Sequence, residues 1–355
     1  MSESGPDGSR RRPGIKAVAA LAGVGIASVS RVLSGQPGSS AQLTQRVLDA
    51  AHKLGYTPNA LAQGLRRKAT RSIGFVGSDI TNPLIASIVR GAESVLSVAG
   101  FSVLLTNSGG LPSVDAERIE VLMQRQVDGL IVLPALEDDA ATLAALRSVE
   151  APVVLIDRTL PPDIAAHYVL SDHSQGVGDA ARHLLENGHR RIGLIVGRNV
   201  RPTRERIHAV EAAFDAFGVK RDLIVEHGTL SFEHGAAALE AMLSHRRAPS
   251  AILLGGNQLL EGALSVVHRR ALQLGQTLSL VSCDDVPLCR YHQPAIATVM
   301  RDASLLGARA AELLLARIET PGQPEVVTLP TWFEARPSCG RRATASRPRA
   351  RHAPA

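Results

Sequence analysis

The stretch LAGVGIASVSRVLSG, Leu21 to Gly35, holds the spacing most suggestive of chemistry in this 355-residue chain. Gly23-x-Gly25-x-x-Ser28 approximates the glycine fingerprint that cradles a dinucleotide pyrophosphate, which would point to hydride transfer. That chemistry needs a buried strand before the glycines, so that a helix N-terminus faces the phosphate. Upstream lies IKAVAALAG, where Ile15, Val18, Ala19, Leu21 and Ala22 recur at helical spacing and the alanines favour helix over strand. A helix closed by a C-cap glycine at Gly23 fits this pattern, and a cofactor loop does not. The same letters then read as a tight turn between two short helices, an arrangement used to lay a helix in a DNA groove.

Other chemistry-bearing patterns are scarce. There is no G-x-S-x-G, no H-E-x-x-H and no P-loop lysine. Cys283 adjoins Asp284, but no motif ties a histidine to it, and the 12 histidines are scattered. Cys283, Cys289 and Cys339 form neither a C-x-x-C pair nor a metal spacing, as expected of buried or idle thiols in a reducing cytoplasm. Neither an enzyme nor a bound cofactor or metal is expected.

The composition is globular, 45% hydrophobic and 20% charged, with no apolar run long enough to span a bilayer. The opening MSESGPDGSRRRPG has basic residues without an apolar stretch after them, so it does not read as a secretory signal. Charge is unevenly spread. Residues 1–70 carry ten Lys/Arg against three Asp/Glu, the stretch from Gly340 adds five Arg and no acid, and 71–339 is net acidic. A basic head on an acidic body suits a protein that meets a polyanion with one end. The tail GRRATASRPRARHAPA lacks a core face and reads as disordered, solvated charge.

Helices are expected over Ile15–Leu21, Ile26–Leu33 and Leu43–Leu54, then a short weak one carrying Gly64 in ALAQGLRRKATR. From Ser72 the texture changes to apolar β-rich runs alternating with amphipathic helices, and the beat repeats after Tyr168. Continuous apolar strands between helices predict parallel sheets covered on both faces, in two similar lobes. A ligand site in such a body lies at the carboxyl ends of the strands, between lobes.

IKAVAALAGVGIASVSRVLSG, KLGYTPNALAQGLR, RSIGFVGSDITNP, RQVDGLIVLP, VVLIDR, HLLENGHRRIGLI and CDDVPLCRYHQPAIATV, in that order, resemble the lactose-repressor family of bacterial transcription factors. The resemblance implies an α/β protein with a small all-α helix-turn-helix head and hinge helix, then a two-lobed periplasmic-binding-protein-like core with parallel sheets. The implied bounds are a disordered N-terminus to 13, a head over 14–58, a hinge over 59–71, a core over 72–340 and a disordered tail over 341–355. Lobe one would take about 72–170 and 301–329, and lobe two about 171–300 and 330–340. The implied partners are double-stranded operator DNA bearing an inverted repeat, a second copy of the chain, and a small effector. A transport solute-binding protein would need a signal peptide and would not need residues 15–71. An effector-independent DNA-binding regulator is the other alternative.

In that family's frame Ile26–Leu33 is the recognition helix. Ile26 and Ala27 take the positions most used for operator choice and, being apolar, can touch thymine methyls only. Arg31 can offer two donors to guanine O6 and N7. Ser28 and Ser30 suit phosphate contacts. Gly25 stands where relatives carry a capping Ser, a loss of a few tenths of a kcal/mol. Asn59, Leu65, Arg66 and Arg67 of the hinge complete the DNA-facing set, with Leu65 as a minor-groove wedge. For the effector the resemblance selects Asp79, Asn82, Asp157, Arg206, Asn257 and Asp284, with Gln258 in place of a usual Asp. A sugar or sugar derivative is the expected effector, and a small polar or anionic metabolite the alternative. Aromatics are only 3% of residues, and Leu84, Ile85, Leu230 and Ala303 stand where relatives place aromatic rings. Phe232, Tyr291 or Trp332 could compensate.

NALAQGLRR is too short to hold a helix alone, since isolated helices below about 12–15 residues are marginal, and Gly64 weakens it further. The hinge is therefore expected to fold on the operator. Leu65→Ala should weaken specific binding by about 2–3 kcal/mol, the scale of unstacking one base step. Affinity for random DNA, which is phosphate neutralisation, should hold. Equal losses on operator and random DNA, titrated at one salt concentration, would remove the wedge.

Overall fold

The computed structural model describes residues 13–33, 38–56 and 70–341, and falls into two compact units that meet in sequence at Arg71 and Ser72. The first holds α1 (Ile15–Ala22), α2 (Ile26–Leu33) and α3 (Ala41–Lys53). Gly23 at φ 65° ends α1, and the Val24 N–H reaches back to the Ala19 carbonyl (3.0 Å). This left-handed cap is open to glycine at no steric cost. The chain bends by 104° between α1 and α2, in the range of a helix-turn-helix. Gly25 starts α2 with its carbonyl accepting from Ser28 and Val29, no side-chain cap being possible. Val18, Ala19, Ala22, Val29, Val32, Val47, Ala50 and Ala51 form the unit's own small core. Asn59, Leu65, Arg66 and Arg67, together with both chain ends, lie outside the described residues.

The second unit is built on two sheets. Strands β1 (Ser72–Gly77), β2 (Ser102–Asn107), β3 (Gly129–Val132), β4 (Val153–Ile156) and β5 (His167–Asp172) form the first, β6 (Ile192–Val196), β7 (Leu223–His227), β8 (Ala251–Leu254), β9 (Ser279–Cys283) and β10 (Ala297–Met300) the second. β11 (Val326–Pro330) then joins the first sheet and β12 (Trp332–Glu334) the second. The orders are β11-β5-β4-β3-β1-β2 and β12-β10-β9-β8-β6-β7, parallel except for β12. The chain thus passes between lobes three times, after β5, after β10 and after β11.

The helices between strands are α4 (Pro83–Val98), α5 (Pro112–Gln124), α6 (Ala140–Arg147), α7 (His173–Glu186), α8 (Arg201–Ala216), α9 (Phe232–Ser244), α10 (Gln258–Arg269), α11 (Pro287–Tyr291) and α12 (Ala303–Glu319). They cover both faces of each sheet, so neighbouring strand residues enter different cores. In β4, Val154 and Ile156 pack with α4 and α12, while Val153 and Leu155 pack with α5 and α6. In β8, Ala251 and Leu253 face one side, Ile252 and Leu254 the other. This is why the strands read as unbroken apolar runs.

α4 and α12 touch through glycine. A Cβ on Gly91 would sit 1.9 Å from the Ser304 carbonyl oxygen, and one on Gly307 1.8 Å from that of Ile88. Gly178 in α7 has open space around it. Gly307→Ala should therefore destabilise by about 2–3 kcal/mol through overpacking, whereas Gly178→Ala should stabilise by roughly 0.5–1 kcal/mol through helix propensity. Urea midpoints of the two variants should move in opposite directions.

Candidate functional site

α2 presents two faces. Val29 and Val32 are buried in the head, while Ile26, Ala27 and Arg31 are exposed and Ser28 and Ser30 half-buried. The spacing explains this: Ala27 and Arg31 are four residues apart and share a face, as do Ile26 and Ser30. Sequence reasoning missed Arg46. From α3 its guanidinium donates to the Ala22 carbonyl at 2.5 Å, closing the end of α1 and fixing the turn that precedes α2. Arg46 lies in the second turn of α3, 24 residues along the chain from Ala22, so nothing local in the sequence marks this contact.

In the core, the six residues selected for the effector lie where the chain leaves the carboxyl ends of strands, or in the helix that follows. Asp79 and Asn82 follow β1, Asp157 follows β4, Asn257 follows β8, Asp284 follows β9, and Arg206 is in the second turn of α8. Asp157 and Asp284 are counterparts in the two lobes. Both adopt left-handed backbone (φ 51° and 68°), which costs a non-glycine residue energy and is more accessible to Asp than to most. Their N–H groups donate to Val169 and Val299 at 3.0 and 2.9 Å.

The structure divides the six into two groups. Asp79, Asn82 and Asn257 line a cavity of about 520 Å³ between the lobes, with Gln258, Leu230 and Phe232. Across it the Asn257 amide donates to Asn82 Oδ1 (2.9 Å), and Gln258 Nε2 donates to Asp79 Oδ2 (2.9 Å). A carboxylate at 258 would have faced the carboxylate of Asp79, and the amide supplies a donor instead. Asn82 Oδ1 also caps α4 at the Leu84 N–H. Of the ring candidates, Phe232 lines the cavity. Tyr291 and Trp332 are exposed and do not line it, and Ile85 is buried in the lobe-one core.

Asp157, Arg206 and Asp284 belong to a buried charge cluster centred on a residue the sequence reading did not select, Arg301. Its Nε and Nη2 grip both oxygens of Asp284 at 2.7 and 3.2 Å. Its Nη1 pairs with Asp157 Oδ2 and donates to Ser171 Oγ at 3.2 Å. Asp157 Oδ1 accepts from the Ser171 N–H at 2.6 Å. Arg301 follows the last residue of β10, where the chain returns to lobe one, so one side chain ties both lobes. Its only signal was a charged residue after a strand, in VMRD, a pattern shared with LIDR and SCDD.

Burial opposes the charge on both aspartates, but Arg301, joined by His173 and the Ser171 N–H at Asp157 and by Arg206 at Asp284, outweighs it and holds each carboxyl below its usual range, Asp157 well below. Burial likewise works against Arg301, and Asp284 and Asp157 raise it above its ordinary value. Burial, with the charge of Arg206 beside it, depresses His173 from 6.5 to about 4, against the pull of Asp157 at 3.7 Å. Burial pushes the Cys283 thiol up to about 11, the reverse of an activated nucleophile. Among the described residues no group of three or more His, Cys, Asp or Glu is placed to hold a metal ion. No single helix among them is long and apolar enough to cross a membrane.

A DNA-reading head and a two-lobed ligand-binding core define a transcriptional regulator. Residues 14–59 match the bacterial regulatory proteins of the lacI family, and 181–339 match the periplasmic binding protein-like domain. The ribose operon repressor of Escherichia coli K12 is 31% identical over 310 residues, spanning 86% of this chain and 93% of its own. The complex of the transcriptional regulator CelR with cellobiose superposes with a TM-score of 0.69 at 29% identity, covering 92% of this chain and 100% of that one. The Lac repressor dimer bound to operator and the anti-inducer ONPF gives 0.81 at 25% identity, covering 93% and 100%. The chain belongs to the lacI family of bacterial regulatory proteins.

His173 supplies a pH test. Its folded pKa of about 4 lies below its ordinary 6.5, so in that window the unfolded chain binds more protons than the folded one. The neutral ring's contribution is complete above the unfolded value and is lost as pH falls towards the folded one, about 3 kcal/mol in all. His173→Gln, which stays neutral beside Asp157, Arg206 and Arg301, should flatten the dependence of unfolding free energy on pH between 6.5 and 4, measured by urea titration.

Proposed function

We propose that the protein is a homodimeric transcriptional repressor that reads an inverted repeat with α2 and whose operator affinity is switched by a small polar effector between the core lobes. The observation that carries the reading is α2 itself: Val29 and Val32 anchor it while Ile26, Ala27 and Arg31 face outward. One recognition helix per chain covers half a palindrome, so the symmetry of a dimer should be mirrored in the DNA. Arg31 contributes base readout through paired donors, Ile26 and Ala27 contribute methyl contacts, and Ser28 and Ser30 bind phosphate. Asp79, Asn82, Asp157, Arg206, Asn257 and Asp284 form the effector site. The polar pairs that close the cleft, Asn257 with Asn82 and Gln258 with Asp79, are of the exchangeable kind an effector can replace. Among solved relatives, CelR is seen with cellobiose and the Lac repressor dimer with operator and ONPF. Acting on DNA, the protein works in the cytoplasm, and no reaction is assigned to it.

A second reading, a regulator indifferent to small molecules, draws on one observation: Arg301 already occupies the acceptors of Asp157 and Asp284. An operator affinity that no added ligand changes would favour it.

Footprinting on genomic fragments should give a two-fold symmetric protected site occupied by a dimer. Arg31→Ala should cost about 1–3 kcal/mol on that site, relaxing the preference for one base pair per half-site. Binding to random DNA should fall steeply with salt for both proteins, with similar affinities. A monomer bound to an asymmetric site would refute the reading.

A further inference from the structure

α8 begins without a cap of its own. Its N-cap is Val200, whose side chain cannot accept a hydrogen bond, and Pro202 in the first turn has no N–H to satisfy. The Arg201 N–H lies in the first turn, where no carbonyl of the helix can meet it. It is met from the other lobe. Glu137 Oε2, in the segment after β3, accepts it at 3.1 Å and accepts Arg204 Nη2 at 2.8 Å. The second oxygen, Oε1, accepts from the Thr159 N–H at 2.9 Å within lobe one. The Glu137 side chain is only 10% exposed, and its two oxygens serve one lobe each. A carboxylate in this position answers both the unmet N–H and the positive end of the helix dipole.

The sequence here has a second regularity. Arg198, Arg201 and Arg204 recur at every third position in RNVRPTR, and each reaches a different part of lobe one. Arg198 Nη1 donates to the Gly110 carbonyl after β2 at 2.7 Å, and Arg201 Nη1 to the Ser171 carbonyl of β5 at 3.2 Å. Arg204 takes Glu137. The pairs of Asp79 with Gln258 and Asn82 with Asn257 close the cleft separately.

We propose that Glu137 is a positioning residue that caps α8 from across the cleft, and that with Arg198, Arg201 and Arg204 it forms a clasp holding the lobes together before an effector binds. α8 keeps its cap only while the lobes touch, so the first turn of this helix follows the lobe angle. A link from the clasp to the effector response rests on the reading of the cleft as the effector site, whereas the clasp itself does not.

The test is hydrogen exchange with mass spectrometry on the full chain, comparing the wild type with Glu137→Gln, Glu137→Ala and Arg204→Ala. Glutamine fills the same volume but has one acceptor oxygen, so it can serve one lobe and not both. Both Glu137 variants should speed exchange in peptides spanning 198–206 by about fivefold or more, the scale of a lost helix cap. Exchange at 79–84 and 256–260 should rise with it, because those segments carry the other cross-lobe pairs and part when the clasp opens. Arg204→Ala leaves the Arg201 N–H capped and should give a smaller rise in the same places. α4 and α12 report on the fold of lobe one and should hold in Glu137→Gln. A rise confined to 157–161, beside Thr159, would make Glu137 a brace within its own lobe and overturn the proposal, as would unchanged exchange at 198–206. Titrating the same proteins with the inverted repeat keeps the two readings apart. A wild type that binds no such DNA removes the regulator reading and leaves the clasp standing.

Discussion

Taking two carboxylates out of water costs several kcal/mol apiece unless a cation meets them, and in this core a single side chain, Arg301, meets both. Asp157 follows β4 of one lobe and Asp284 follows β9 of the other, each in left-handed backbone with its own N–H bonded. The guanidinium between them lies on one of the three passages of the chain from lobe to lobe. Any change in the angle between the lobes must stretch this bridge or carry it along. Arg301 makes two bonds on each side, to both oxygens of Asp284 in one lobe and to Asp157 and the Ser171 hydroxyl in the other.

The rest of the interlobe surface repeats this logic at lower cost. Asn257 with Asn82 and Gln258 with Asp79 are hydrogen bonds between one neutral amide and one acceptor. Arg198 donates to the Gly110 carbonyl and Arg204 pairs with Glu137, again lobe to lobe. Each such contact contributes modestly and exchanges readily with water or a ligand. Within each lobe, by contrast, apolar strands lie between two layers of helices, and close approach of α4 to α12 leaves no room for a methyl group. Rigid lobes joined by exchangeable polar contacts are the mechanical condition for a two-position switch.

The head solves a smaller problem. Three short helices supply only a small core, so their ends must be secured. Gly23 provides the left-handed cap and Arg46 covers the carbonyls it leaves. The order this imposes on the turn lets α2 keep apolar Ile26 and cationic Arg31 at the surface without collapsing them into the core.

Much of this was legible in the residues. Helix-period spacing across Ile15–Ala22, closed by a glycine, removed the dinucleotide reading of Gly23-x-Gly25, and the alternation of apolar strand and amphipathic helix after Ser72 gave two parallel α/β lobes. These features are local, and both depend on periodicities that a chain cannot hide. The sequence also selected Asp79, Asn82, Asp157, Arg206, Asn257 and Asp284 as polar residues, each beside a strand's carboxyl end or in the helix after it. It did not reveal that Arg301, 144 residues from Asp157 along the chain, would occupy two of them. Nor did it show that Gln258 would answer Asp79 across the cleft, or that His173 would be held neutral between Asp157 and Arg206. Pairing of charges is decided by which side chains share a buried volume, and that volume exists only once both lobes have folded and met. Sequence determines which charged groups are available; tertiary structure alone decides which of them meet, as Arg301 meets Asp157 and Asp284.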